Sequence, residues 1–363
     1  MAHSSVLIFR YILLQILLCE ILKSKIISQN FSLNRKYLIN SKIENYKSTK
    51  RLLSSKKNLI IGAAVNYTWE KVQPFFKSFE AVGFENCDCI IFVSKLSKGT
   101  IKKIESCGAI IKNIPKKYQN MNAKNVRYKI YLDFLNINFD KYNLVLHVDI
   151  KDTIFQQDIF QLYDCKRPFL GIALEEGILK EKVNKEWFIY SFGEVLFKSI
   201  ENERIICSGT IWGTVDKFLE LLNKEWEKVK NGCYNQRIHD QTVLNYIIYI
   251  EKTFDDCLIR SEYKDGYILT LGLVKKNISF DSENNILNDK GEIAALVHQY
   301  DRIPHIKKRI RQKFCIEGKL NITKKNIFIK NKNKNNNLNY LLLLYIFMFL
   351  LIIKKYSSIF KYF

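Results

Sequence analysis

The chain has no Cys-x-x-Cys pair, no internal repeat and no nucleic-acid-binding motif, and it is short of acids: 36 Asp and Glu stand against 58 Lys and Arg in 363 residues. Each absence excludes something. Without Cys-x-x-Cys there is no zinc ribbon or knuckle. Cys87-Asp88-Cys89 is too tightly spaced to replace one, and no second pair completes it. Without a repeat the chain is not a solenoid. The shortage of acids leaves a net charge of +22, which attracts nucleic acid or an anionic surface in general. Here Lys, Asn and Ile are abundant together, as in Lys324–Asn339 (KKNIFIKNKNKNNNLN). An AT-rich coding sequence produces that bias by itself, so nucleic acid is not an expected partner.

Of nine cysteines, Cys19 lies in an apolar leader. Cys87, Cys89, Cys107, Cys165, Cys207, Cys233, Cys257 and Cys315 remain, an even set compatible with an oxidising lumen. They read as disulfides or buried thiols. A hydrophobic fraction of 47% excludes a disordered chain.

Both ends carry apolar runs. Val6–Leu22 suits a signal peptide or signal anchor, which assigns residues 1–25 to that role and the polar, basic residues 26–57 to a stem. Residues 319–337 read as a basic Asn/Lys-rich linker, and 338–355 as a C-terminal hydrophobic segment that can span a membrane. These features predict a secretory-pathway membrane protein with a lumenal globular domain, in the endoplasmic reticulum or Golgi. Asn30, Asn277 and Asn321 head N-glycosylation sequons.

Residues 58–318 carry the globular pattern. Strands are expected at Asn58–Val65, Cys89–Ser94, Ala109–Ile114 and Leu144–Asp149, apolar throughout and alternating with helices at Trp69–Gly83, Ser97–Cys107 and Ala123–Leu135. Such strands predict an α/β fold, a mostly parallel sheet covered by helices on both faces. Further on, Phe169–Leu174 and Ile205–Trp212 read as strands, Thr214–Lys230 and His239–Glu251 as helices, and Ala294–His298 as a short late strand. Ligands of such sheets bind beyond the carboxyl ends of the strands. Two ends stand out: the first runs into Asn66-Tyr67-Thr68, the fourth into Asp149 with Asp152 close behind.

Two carboxylates in one turn repel each other unless a cation or donors neutralise them. Mg²⁺ and Mn²⁺ accept such oxygen ligands and keep positions open for phosphate oxygens. His298, also at a strand end, would tilt the preference towards Mn²⁺. The plainer alternative is that Asp152 caps a helix over Thr153–Leu162. A phosphatase of the haloacid-dehalogenase type is a poorer match, because D-I-K-D-T sets the second acid one residue too late.

The VDIKD string, CSGTIWG at 207–213, HDQTVLN at 239–245 and VHQYDRIP at 297–304 follow one another in a recognisable order. In that order they resemble the GT-A fold nucleotide-diphospho-sugar transferases, with affinity to glycosyltransferase family eight. The resemblance implies a GT-A fold over residues 58–318 and a metal-dependent glycosyltransferase. Its donor would be a nucleotide-sugar, most simply a UDP-sugar, and its acceptor a glycan, protein or lipid. It implies Asp149, Asp152 and His298 as ligands of a divalent cation, Mn²⁺ ahead of Mg²⁺. Asn66, Tyr67, Thr68, Arg127, Asp149, Ser208 and Gly209 would line the donor, and Asp240 and Gln241 would face the reacting sugar. Base candidates for the acceptor hydroxyl are Glu175, Glu176 and Asp240. The chain departs from the family pattern in its D-x-x-D spacing, in Cys207 for Asn and in Thr242 for an acid. It also lacks the HxxGxxKPW ending. A catalytically silent, membrane-anchored homologue that binds sugar or a partner protein is the alternative. Lys307–Lys313, a basic run, reads as solvated surface, or as a contact for diphosphate or anionic lipid.

Overall fold

In a computed structural model, residues 56–163, 166–230 and 238–315 are described. The leader, nearly all of the stem, the linker and the C-terminal apolar segment lie outside the described residues, as do Cys19, Cys165, Cys233, Asn30 and Asn321. No helix among the described residues is long and apolar enough to cross a membrane.

The first half follows the expected alternation. Strand β1 (Lys57–Val65) leads to helix α1 (Trp69–Val82), β2 (Cys87–Ser94) to α2 (Lys98–Ser106), and β3 (Ile110–Asn113) to α3 (Ala123–Asn138) and β4 (Tyr142–Val148). Strand β1 starts at Lys57, where the expected stem meets the globular domain. Next come β5 (Thr153–Phe155), β6 (Leu170–Ile178), α4 (Lys182–Phe192), α5 (Glu194–Ile200), β7 (Arg204–Thr214) and α6 (Val215–Val229). The chain closes with α7 (Asp240–Tyr246), β8 (Leu258–Ser261), β9 (Ile268–Thr270), β10 (Leu296–His298) and α8 (Pro304–Phe314).

Seven strands form one sheet in the order β3-β2-β1-β4-β7-β6-β8. Strands β1 to β4 are mutually parallel, whereas β7 runs antiparallel to both β4 and β6. The sheet is mostly parallel, as expected, with one reversed strand, β7, in its interior. Helices cover both faces: α3, α6 and α7 pack over one apolar layer with Tyr131, Phe218 and Leu244, and α1 and α2 over the other with Phe75, Phe76 and Trp212. A second sheet, β5-β10-β9, was not expected. It rests under α8, whose Ile306, Ile310 and Phe314 turn inward.

Two expectations are corrected. No helix follows Asp152: Thr153–Phe155 is a strand, so the helix-cap explanation of that acid fails. The helix over His239–Glu251 is α-helical only to Tyr246 and then widens into a π turn over Ile247–Glu251. The six described cysteines are free thiols, Cys89, Cys107 and Cys207 among them buried, which resolves the disulfide-or-thiol alternative for these six.

Candidate metal and sugar-nucleotide site

Asp149 is the first residue beyond β4, in line with the parallel ends of β1 and β2. Its amide donates to the Gly209 carbonyl on β7 at 2.8 Å, fixing the turn against the neighbouring strand. Ile150, 1% exposed, tucks towards Gly62 of β1. A Cβ on Gly62 would stand 2.4 Å from the Ile150 Cδ1, so glycine at that point lets the acidic turn sit down on the sheet. With Ile150 pointing inward, Asp149 and Asp152 both face outward to the same side.

The second sheet delivers the histidine. β10 pairs antiparallel with β5, and its register sets His298 opposite Thr153, next to Asp152. Asp149, Asp152 and His298 offer ligand atoms all within 4.8 Å of one another. The His298 Nε2 stands 3.5 Å from Asp152 Oδ1 and 3.8 Å from Asp149 Oδ2. It is buried and has no hydrogen-bond partner. An unsatisfied buried nitrogen aimed at two carboxylates fits a divalent cation, since one ion satisfies all three groups and leaves coordination positions open. Gly209 gives the cluster its room: a Cβ there would lie 2.3 Å from His298 Cε1 and 2.9 Å from Asp149 Oδ2.

Behind the imidazole, Nδ1 meets the Cys207 Sγ at 3.3 Å. Burial pushes the Cys207 thiol up, against the opposing pull of His298. Glu175, also buried, lies beside Cys207 and Gln299, which pull its carboxyl down against burial. The Cys207 contact at Nδ1 turns the other ring nitrogen, Nε2, towards the two carboxylates. Such a partner fixes which nitrogen faces the cation. Burial also raises the Glu175 carboxyl, against the opposing pull of His298. Burial disfavours a charged His298, yet Cys207 and Asp152 carry it well above the ordinary imidazole range. A bound cation must therefore displace a proton.

Arg127, on α3, is 7% exposed and joins the two halves of the site. Its Nη1 donates to Asp149 Oδ1 at 2.6 Å and its Nη2 to Asp240 Oδ2 at 2.5 Å. Nη2 also approaches the Ser208 carbonyl at 3.4 Å. Arg127 thus holds one Asp149 oxygen and leaves Oδ2 facing His298. Burial works against the Asp149 charge, but Arg127, then His298 and His147, hold the carboxyl well below the usual range. His147, buried beneath on β4, is pushed down to about 3, chiefly by burial and by Arg127.

These groups open into a cleft of about 720 Å³ that includes Tyr67, Arg127, Asp149, Asp152, Asp240 and Gln241. No protein-family description and no curated protein matches the chain. Solved structures do match. The galactosyltransferase LgtC in complex with donor and acceptor sugar analogs is 14% identical, with a TM-score of 0.41, over 66% of this chain and 86% of that one. An active-site mutant of LgtC is 13% identical at a TM-score of 0.45, over 71% and 96%. The glycosyltransferase GlyE of Streptococcus pneumoniae TIGR4 is 14% identical at 0.36, over 56% and 45%. These structural neighbours are glycosyltransferases.

Not every expected residue reaches the cleft. Tyr67 lines it, and its hydroxyl is raised by burial and by the two acids. Asn66 and Thr68 are exposed and are not among the lining residues: Asn66 turns the chain at φ 56°, and Thr68 precedes α1. His239 holds the N-cap position of α7, and Asp240 Oδ1 accepts from the Gln241 amide at 2.9 Å. Gln241 is held by Asn184, to which it donates at 3.0 Å, and its Oε1 lies 3.5 Å from the Ser208 amide. Of the base candidates, Glu175 and Asp240 line the cleft. Glu176 instead faces Arg204 at 3.2 Å. The basic run of 307–313 lies on α8 and is not among the lining residues. Sequence reasoning missed Lys151, Asn184, Trp187, Gln299 and Arg302, all of which line the cleft. Gln299 and Arg302 had a signal, since they stand directly beyond His298 in the late motif. Trp187 sits on a helix apolar on more than one face, which hides its period.

Proposed function

We propose that the chain is a divalent-cation-dependent glycosyltransferase that takes its sugar from a nucleotide-diphospho-sugar, a UDP-sugar in the simplest case. The observation that carries this reading is the convergence of Asp149, Asp152 and His298 at the end of the central strand, over a cleft large enough for a small-molecule ligand. Asp149, Asp152 and His298 would hold the cation, Mn²⁺ ahead of Mg²⁺ because one ligand is an imidazole. Bound there, the cation supplies positive charge against the leaving diphosphate.

The chain's own residues account for the rest. Lys124, Lys151 and Arg302 line the cleft and add positive charge for the diphosphate. Tyr67 offers a ring at the mouth of β1 for the base. Arg127 holds Asp149 and Asp240 in one frame, so the metal side and the sugar side cannot drift apart. Gln241, fixed by Asn184, would lie against the reacting sugar. Asp240 is committed to Arg127. Glu175, raised by burial, is the freer carboxylate to take the acceptor proton, though in a retaining reaction the departing phosphate can serve instead. The apolar ends of the sequence support a secretory-pathway membrane setting with this domain in the lumen.

The test is hydrolysis of a panel of UDP- and GDP-sugars by the full chain with Mn²⁺, beside Asp149→Ala and Asp152→Ala. Turnover of one donor, abolished in both variants and by EDTA, is expected. Mn²⁺-dependent UDP binding without any turnover would favour the silent homologue, and neither binding nor turnover would end the glycosyltransferase reading.

A further inference from the structure

The acidic turn carries a cation between its two acids. Lys151 follows Asp149 by two positions and precedes Asp152, and its Nζ pairs with Asp301 Oδ2 at 3.0 Å. Lys151 lines the cleft, whereas Asp301 is not among the lining residues. Asp301 belongs to the 3₁₀ turn Tyr300–Arg302, just beyond His298. That turn is firmly placed. Gln299 enters it in the left-handed region at φ 56°, and a Cβ on Gly272 would collide with the Gln299 side chain. Tyr300, 3% exposed, packs into the cluster of the second sheet. The ion pair thus ties the turn with two candidate metal ligands to the turn behind the third.

The two oxygens of Asp301 are served unequally. Oδ2 has Lys151. Oδ1 is buried without a hydrogen-bond partner, and Arg302 Nε stands 3.5 Å from it. A buried carboxylate oxygen without a donor is costly, and an arginine at that distance can close on it with a small movement. Asp301 therefore has a second cation at hand if the first leaves. Lys151 is the looser partner, its side chain 44% exposed against 12% for Asp301. A pair exposed to that degree on one side contributes little to stability.

We infer that Lys151 exchanges its Asp301 partner for the diphosphate of the donor, and that Asp301 is the positioning residue that holds the lysine beside the metal ligands until the donor arrives. The inference rests on the glycosyltransferase reading and deepens it. Asp149 and Asp152 would hold a cation whose open positions suit phosphate oxygens, and Lys151 is a neighbour of both in the chain. An ammonium group on a flexible four-carbon stem can swing between two acceptors, and its three donors suit phosphate. A diphosphate carries more negative charge than one carboxylate, so it wins the competition for a weakly held lysine. Arg302, already beside Asp301 Oδ1, then keeps the buried acid paired.

The experiment is a calorimetric titration of the full chain with UDP in saturating Mn²⁺. It compares the parent with Lys151→Met, Lys151→Arg, Asp301→Asn and the Lys151→Met/Asp301→Asn pair, and melting curves confirm that each is folded. Lys151→Met should weaken UDP about ten-fold, the scale of a lost charge-assisted hydrogen bond, and Lys151→Arg should recover most of that. Asp301→Asn should tighten UDP about three-fold, since the lysine no longer leaves a partner. That gain should vanish when Lys151 is already Met, because the two residues act through one exchange. Unchanged affinity in Lys151→Met overturns the inference. So does weaker binding in Asp301→Asn, which would make the pair a fixed strap between turns. An equal gain with and without Lys151 overturns it as well, as mere removal of a negative charge near an anion. In each of these cases a parent that binds UDP with Mn²⁺ leaves the glycosyltransferase reading standing. A folded parent that binds no UDP sinks that reading, and the exchange with it.

Discussion

Gly209→Ala isolates the geometry of the metal cluster in one methyl group. The added carbon would lie 2.3 Å from His298 Cε1 and 2.6 Å from its Nε2. Carbon atoms in contact sit about 3.5–4.0 Å apart, so the shortfall exceeds roughly 1 Å. Neither side can yield easily. The β7 backbone is tied to Asp149 through a 2.8 Å hydrogen bond, and His298, 1% exposed, is backed by Cys207 at 3.3 Å. Metal ligands tolerate displacements of only about 0.2 Å. Mn²⁺ affinity should therefore fall at least about ten-fold, the scale seen when support for a ligand is lost. Overpacking of this kind costs about 1–3 kcal/mol, with about 2–4 °C of melting temperature for each. The control is Gly99→Ala on α2, where the nearest atom to the new carbon is Ser97 Oγ at 3.9 Å. There the same substitution should stabilise by about 0.5–1 kcal/mol, because glycine is the poorer helix former. Calorimetric Mn²⁺ titration and thermal melting read both variants. A Gly209→Ala chain that binds Mn²⁺ like the parent and melts with it would refute the close packing of His298 against β7.

Further outcomes follow from the same charges. Arg127→Ala strands the buried Asp240 carboxylate as well as freeing Asp149, and should cost about 3–5 kcal/mol in urea unfolding; Arg127→Ala/Asp240→Asn should recover part of it. Glu225, fully buried on α6 without a hydrogen-bond partner, has its carboxyl raised well above the ordinary range by burial and by Asp240. Protonated when folded and ionised when unfolded, it loses stability for the protein as pH rises from about 4.5 towards its folded value. Glu225→Gln should therefore melt above the parent at pH 7 and draw level near pH 4; a constant gap would refute the assignment. Cys207→Ala removes the partner of His298 Nδ1, and should weaken Mn²⁺ binding about ten-fold while shifting its pH dependence; a stability change alone would mean that the thiol only fills space. Mn²⁺ affinity of the parent should also fall as pH falls, since Cys207 and Asp152 favour the proton on His298 that the cation must displace. A titration flat in pH would contradict that.

The acidic turn was legible because a run of β-formers, Leu144–Val148, ended in charge; a helix cap at Asp152 was the competing reading, and only the strand at Thr153–Phe155 removed it. The orientation of β7 was not. An interior strand buried on both sides, as β7 is, carries the same pattern whether it runs parallel or antiparallel. Strands β5, β8 and β9 hold three or four residues each, too few to show a period. Helix α4 escaped because apolar residues on two faces leave no polar side to define it. Helix α8 did carry a signal, Pro304 at its start and Ile306, Ile310 and Phe314 at helical spacing, obscured by the lysines and arginines between them.

By itself, the sequence determined that the chain forms an α/β layer structure, that strands end in Asp149 and His298, and that Arg127 lies on the helix before the acidic strand. These follow from local pattern, which needs only neighbouring residues. Only the tertiary structure decided that the groups meet. His298 is 146 positions beyond Asp152 in the sequence. It arrives through the pairing of β10 with β5, a register no local signal encodes. The bridge from Asp149 through Arg127 to Asp240, and the exclusion of Asn66 and Thr68 from the cleft lining, have the same origin. Each depends on distances between segments remote in the chain, which packing sets and periodicity does not.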